Sequence, residues 1–194
     1  LIRPILRGRD IKRYGYNWDN LWLINTHNGI KGVKPRININ EYSAVKAYLD
    51  QHWDKISKRA DKGDTPYNLR NCAYMEDFYK PKIVWGNLNL SAAYSIAADG
   101  IFVNAPCPMI VPASKYLLAI LNSKVADYYI RQLGVTRNGG YFEYKPMFVE
   151  NLPVPNNIDC KTIEYLEACV NSKDESSIDT VSYTHLRAHE TLRH

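Results

Sequence analysis

The sequence predicts a mixed α+β fold in which a twisted, mostly antiparallel sheet packs with two main helices. Two observations carry that expectation. The middle of the chain is a series of short β-rich runs separated by Asn, Gly and Pro, and amphipathic stripes at helical spacing stand on either side of it. With 45% apolar and 23% charged residues over 194 positions, the composition is that of one well-buried domain with room for a helical appendage.

The elements follow in order. Ile2 to Tyr14 is basic and has no sustained period, which predicts a surface entry segment with a short turn at Gly8. Asn20-Leu-Trp-Leu-Ile-Asn25 is a compact run of strand formers, and the Gly- and Lys-bearing stretch after it, through Pro35, predicts an exposed loop. From Glu41 to Asp61 the residues Tyr42, Val45, Leu49, Trp53 and Ile56 step by three or four, the stripe of an amphipathic helix that Gly63-Asp-Thr-Pro66 stops. Lys82–Asn87, Ala93–Ala97, Ile101–Val103 and Met109–Val111 are the strand-like runs.

Ser114 is placed to cap a second helix through about Leu133, with Leu117, Leu118, Leu121, Val125, Tyr128 and Tyr129 spaced for burial. Gly134 to Pro146 is a loop dense in donors, aromatics and bases, of the kind that faces a ligand. Leu152-Pro-Val-Pro155 predicts an extended closing segment, so a domain is expected over 1–155. A short helix from Cys160 to Val170 with a fraying polar continuation is expected within 156–180. Residues 181–194 have the character of a non-native, adaptor-derived tail and are left out of the fold; the His185 and His189 pair within them is not taken as a metal site.

Charge is distributed unevenly. Residues 1–82 hold sixteen Lys and Arg against nine Asp and Glu, and the remainder nine against eleven, within a net charge of +5. A basic first part suits a polyanion, because cations that neutralise phosphates release condensed counterions. Fifteen Tyr and four Trp, many beside Asn, Lys or Arg, suit both a Tyr-rich core and a surface that stacks on planar groups. Cys72, Cys107, Cys160 and Cys169 form no Cys-x-x-Cys pair, which predicts reduced thiols rather than a zinc knuckle or a disulfide frame. No apolar run approaches a membrane span, no signal peptide opens the chain, and its first residue is not Met; a cytoplasmic fragment with no membrane partner is expected.

Several stretches, in this order and spacing, resemble the TaqI-like specificity domain of restriction-modification enzymes that fuse an adenine methyltransferase to a target-recognition module. They are Ile5-Leu-Arg-Gly-Arg-Asp-Ile-Lys-Arg-Tyr14, Thr65-Pro-Tyr-Asn-Leu-Arg70, Lys80-Pro-Lys-Ile-Val-Trp85, Tyr116-Leu-Leu-Ala-Ile-Leu-Asn-Ser123 and Asn151-Leu-Pro-Val-Pro155, spanning roughly residues 2–155. The resemblance implies a target-recognition-domain fold and sequence-specific binding of double-stranded DNA. It also implies an adenine flipped into a methyltransferase domain that uses S-adenosylmethionine, upstream in the same chain or in a partner subunit. The sequence departs from the full-length pattern in having no Asn-Pro-Pro-Tyr motif and no Gly-rich cofactor loop, and Asn104-Ala-Pro-Cys107 is only a superficial echo. No catalytic residue and no cofactor are therefore expected in this fragment.

Base reading needs groups that match base edges, of which Arg to guanine and Asn to adenine are the economical ones. Arg137, Asn138 and Tyr141 in the Gly-bearing loop are the first candidates, and Trp85, Asn87 and Asn89 the second. Their alternative roles are a surface hairpin covering the core and a turn whose amides satisfy local backbone. Lys12, Arg13, Lys34, Arg36, Arg59, Arg70 and Lys145 are the phosphate candidates. Glu143-Tyr-Lys145 matches half of a metal-dependent nuclease signature, but no Pro-Asp pair precedes it, so no metal site is expected. Two other readings stay open: a specificity subunit of a multi-subunit, type I-like system, and a protein-docking module without a DNA preference of its own.

Overall fold

The computed structural model describes residues 1–155 and 158–190, the side chains of 186–190 excepted. In chain order come β1 (Ile2–Leu6), β2 (Ile11–Lys12), β3 (Gly15–Tyr16), β4 (Trp22–Ile24), α1 (Ser43–Asp50) and α2 (Trp53–Lys58). A β-rich middle follows, with β5 (Lys82–Trp85), β6 (Leu88–Asn89), β7 (Tyr94–Ala97), β8 (Phe102–Val103) and β9 (Met109–Ile110). The rest is α3 (Lys115–Asn122), α4 (Lys124–Leu133), β10 (Thr136–Arg137), β11 (Tyr141–Glu143), α5 (Pro146–Val149), α6 (Cys160–Ser172) and α7 (Glu175–Glu190). The α+β class and the antiparallel bias are as predicted, but the strands form several small sheets rather than one, and β1 with β8 is a parallel pair. The chain divides into two units, residues 1–4 with 22–76, and residues 5–21 with those from Asp77 onward.

In the first unit, β1 begins antiparallel to β4, with Ile2 opposite Ile24 and Pro4 opposite Trp22. The helix predicted over Glu41–Asp61 is two helices, interrupted at Gln51 and His52, and neither α1 nor α2 contains a buried residue. Its apolar stripe is half-covered at best: Val45, Leu49 and Ile56 are partly buried, while Tyr42 and Trp53 are exposed. What orders this unit is polar. The buried Asn68 donates from Nδ2 to the Ile37 carbonyl at 3.0 Å and accepts at Oδ1 from the Thr65 hydroxyl at 2.6 Å. Leu69 N–H donates to the Thr26 carbonyl, and the Thr26 hydroxyl to the Tyr67 carbonyl at 2.7 Å. The Thr65–Arg70 run thus clasps a loop-rich unit through side chains that supply the partners a sheet would otherwise give.

In the second unit, β5 is the middle strand of β7-β5-β9, with Ile83 opposite both Ile96 and Ile110. All four of its residues are buried. Strand alternation sends Ile83 and Trp85 into one core, with Leu118, Ile120, Ile130, Leu166 and Ile178, and Val84 into a second with Leu6, Ile11 and Ala97. A strand covered on both faces reads as a continuous apolar run, as Ile-Val-Trp does.

The entry segment is only partly on the surface: Leu6 and Ile11 are core residues, Leu6 because its strand pairs in parallel with β8 and Ile11 because it packs with Val84 and Ala97, while Arg9 and Lys12 stay exposed. The predicted helix over 114–133 is two helices with two caps. The Ser114 hydroxyl accepts from Leu117 N–H, and Ser123, extended at ψ 153°, ends α3 and accepts from Ala126 N–H to start α4. The polar continuation after Val170 does not fray within the described residues: it forms α7, with Ile178 and Ser182 buried. The segment set aside as a tail continues α7 to residue 190, while 191–194 and the His189 side chain lie outside the described residues. None of the four cysteines forms a disulfide.

Candidate nucleic-acid interface

The backbone crossing at Gly8 and Gly86 begins the site. A Cβ on Gly8 would lie 3.3 Å from the Gly86 Cα, and one on Gly86 would lie 3.3 Å from the Gly8 Cα, so the two main chains meet where a side chain would part them. Above this floor opens a groove of about 960 Å³, lined by Lys12, Arg13, Asn87, Asn89, Arg137, Tyr141 and Lys145 among others. The second unit thus gathers seven of the residues singled out in the sequence into one concave surface.

One wall is the three-stranded sheet β10-β11-β6, in which Arg137 faces Tyr141 and Phe142 faces Asn89. The segment expected as a loop is a hairpin whose tip, Asn138-Gly139-Gly140, turns on two glycines at φ +78°. From Tyr141 to Lys145 the period-2 rule divides the strand and its extension between two tasks. Tyr141, Glu143 and Lys145 line the groove, while Phe142 and Tyr144 belong to the core. Tyr144 N–H extends the ladder to the Asn87 carbonyl at 2.8 Å. The buried Tyr144 hydroxyl donates to Asp127, and burial pushes its pKa well up.

Glu143 organises the charge. Its side chain is 4% exposed; Oε1 accepts from Arg137 Nε at 2.6 Å and is ion-paired with Arg137 Nη2, and Oε2 lies 2.8 Å from Lys145 Nζ. Lys145 and Arg137 hold the Glu143 carboxyl below the usual carboxylate range. Two cations on one carboxylate leave the cluster with one net positive charge on the groove. Glu143 entered the sequence reading only as half of a nuclease motif; the signal that bore on it was its place two residues from Tyr141 and two from Lys145, on one strand face.

The remaining candidates divide. Asn89 Nδ2 donates to the Gly86 carbonyl at 2.7 Å, and the Asn87 Oδ1 is buried with no hydrogen-bond partner among the described residues. Trp85 is corrected: it is 2% exposed and its Nε1 donates to the Tyr144 carbonyl at 2.6 Å, so its ring is core rather than a stacking surface. Asn138 is exposed at the hairpin tip and does not line the groove. Lys12 is exposed and its Nζ donates to the Arg9 carbonyl, while Arg13 is largely committed, bonding the Asn122 carbonyl and pairing with Glu175 at 3.3 Å. Arg9, absent from the sequence candidates, is on the groove with its side chain 72% exposed. Burial pushes the Cys107 thiol up to about 11, so it lines the groove as an uncharged group.

Lys34, Arg36, Arg59 and Arg70 belong to the first unit. Arg59 braces the chain through Nη2, which donates to the Pro66 and Asn68 carbonyls. Lys34 pairs with Glu76, Arg36 with Asp64 and Arg70 with Asp61, all at solvent-exposed sites. Among the described residues no three His, Cys, Asp or Glu side chains come together as a metal site, and no helix is long and apolar enough to cross a membrane.

Comparison with known proteins bears on the groove. The sequence matches the family described as the TaqI-like C-terminal specificity domain over residues 3–154. It is also similar to the type II methyltransferase M.BanIII of Aneurinibacillus aneurinilyticus, with 22% identity over 187 residues, 88% of this chain and 32% of that protein. The chain spans about a third of the length of that curated relative.

Proposed function

We propose that this chain, which belongs to the TaqI-like C-terminal specificity domain family, is the target-recognition module of a restriction-modification methyltransferase and holds double-stranded DNA in the groove above Gly8 and Gly86. The observation that carries this reading is the meeting of Arg137, Asn87 and Asn89 with Lys12 and Lys145 on one concave surface. Amide and guanidinium groups match base edges, and ammonium groups match phosphates. Similarity to a type II methyltransferase supports the enzyme context.

Methyl transfer to adenine N6 is assigned to a methyltransferase domain outside this chain, in the same polypeptide or a partner subunit, with S-adenosylmethionine bound there.

The test is binding of the full chain to a randomised duplex pool across a salt series. Affinity falls steeply as salt rises, with a slope set by the number of phosphates neutralised, and repeated selection enriches one sequence. Affinity that ignores salt, or a pool that stays random after selection, overturns the reading.

A further inference from the structure

Arginines that read bases are long side chains, and each must surrender rotamer freedom to hold one geometry. A carboxylate that fixes the arginine beforehand lifts part of that cost at the moment of binding. Arg137 is so fixed. Nε and Nη2, the side edge of its guanidinium, are both engaged by Glu143 Oε1. The end edge, formed by Nη1 and the second proton of Nη2, is left as a parallel pair of donors. That pair matches the O6 and N7 acceptors of guanine in the major groove. Glu143 is 4% exposed whereas Arg137 is 54% exposed, so the carboxylate is the buried anchor and the guanidinium the presented group.

We infer that Glu143 is a positioning residue that holds Arg137 to read a single guanine by its major-groove edge, with Lys145 steadying the other carboxylate oxygen. The inference rests on the DNA-binding reading above and goes beyond it by naming a base, a groove edge and a residue that acts through another.

Two properties separate this role from a merely structural one. Loss of the carboxylate frees Arg137 and also removes one negative charge from the groove. Glu143→Gln therefore discriminates less between sequences and binds arbitrary duplex more tightly, because the groove has lost a negative charge. A role in stability alone would weaken binding to all sequences together.

The experiment selects from a randomised duplex pool with the full chain, then replaces each guanine of the enriched sequence in turn with 7-deazaguanine, which lacks the N7 acceptor. For the unmodified protein one such replacement weakens binding by roughly 5-fold, the low end of the range of a bidentate base contact, because the analogue loses N7 and keeps O6. Glu143→Gln, checked for folding by circular dichroism, and Arg137→Ala, which removes the donors altogether, are both insensitive to that replacement. If Glu143→Gln selects the same sequence and stays as sensitive to the analogue, the positioning role is overturned while DNA recognition stands. If the unmodified protein selects nothing, the underlying reading fails and this inference with it. If it selects a sequence in which no 7-deazaguanine matters, the guanine assignment is overturned without recourse to any variant.

Discussion

The Asn122 carboxamide bonds both main-chain groups of Tyr94: its Nδ2 donates to the Tyr94 carbonyl at 2.9 Å, and its Oδ1 accepts from the Tyr94 N–H at 3.0 Å. The side chain at the end of α3 thus stands where a further strand would pair with β7. Both residues are fully buried. Tyr14 N–H also serves the Tyr94 carbonyl, so the group left with no partner on truncation is the Tyr94 N–H. Asn122→Leu lowers stability by about 1–3 kcal/mol, the cost of one orphaned buried donor, read as a shift in urea midpoint at unchanged slope. A variant within about 0.5 kcal/mol of the natural protein, the spread of ordinary surface changes, removes this account of the Leu-Asn-Ser run.

Lys82 gives a pH signature. Its ammonium is buried among the carbonyls of Phe78, Lys80 and Ala98, at 2.9, 3.1 and 3.0 Å, and burial lowers its pKa from 10.5 to about 8. Between those two values the unfolded chain holds a proton that the folded chain has released, so the Lys82 contribution to stability rises with pH across that window. Lys82→Met abolishes that rise and leaves carbonyls without donors. Denaturation midpoints at pH 7.5 and pH 10 are to be compared for the two proteins: a parallel pH dependence rejects the assignment.

Asp10 has the opposite sign. Hydrogen bonding from the Arg7 side chain, at Nε 3.1 Å and Nη2 2.9 Å, holds its carboxyl below the ordinary 3.8. Its contribution is complete above the unfolded value and is lost as pH falls through the depressed folded one. The stability difference between the natural protein and Asp10→Asn is therefore constant at neutral pH and closes in acid. A gap that widens below pH 4 contradicts this.

Gly134 and Gly15 form a matched pair of tests. A Cβ on Gly134 would lie 2.8 Å from the Glu143 carbonyl oxygen, whereas one on Gly15 meets nothing within 4 Å. Gly134→Ala forces the main chain of β11 to shift, at a cost of about 1–3 kcal/mol, and disturbs the groove wall; Gly15→Ala leaves thermal stability nearly unchanged. Equal melting temperatures for the two variants would refute the close packing of α4 against β11.

Groove cations and core aromatics are separable by what they change. Lys12→Ala lowers affinity for every duplex alike and reduces the salt slope by about 1. Trp85→Phe loses the bond to the Tyr144 carbonyl and some stability, yet keeps the same sequence preference. A changed preference in Trp85→Phe restores Trp85 to the reading surface.

The helices were legible because their apolar residues recur at three and four, a pattern independent of distant partners. Their interruptions were less so: Ser123 is both the end of α3 and the cap of α4, and a stripe drawn through Leu121 and Val125 passes over it. Leu6 and Ile11 could not be recognised as core, since what buries them lies far along the chain: Leu6 pairs with β8, and Ile11 packs with Val84 and Ala97 of β5 and β7. Trp85 was misread because Trp-Gly-Asn-Leu-Asn invites an alternating reading from its amide end. The continuous Ile-Val-Trp run before it belongs to a strand covered on both sides. Arg137, Tyr141, Lys145, Asn87 and Asn89 were legible as chemistry, whereas Glu143 was not, because a lone acid between bases gains meaning only once the hairpin has set its register.

The division of the stretch from Tyr141 to Lys145 separates packing from surface chemistry. Positions 142 and 144 are bound to the interior and tolerate little exchange, while 141, 143 and 145 project to the opposite side. Under the proposed DNA-reading role, substitutions at the odd-numbered sites alter what the cleft prefers while Phe142 and Tyr144 keep their places in the core.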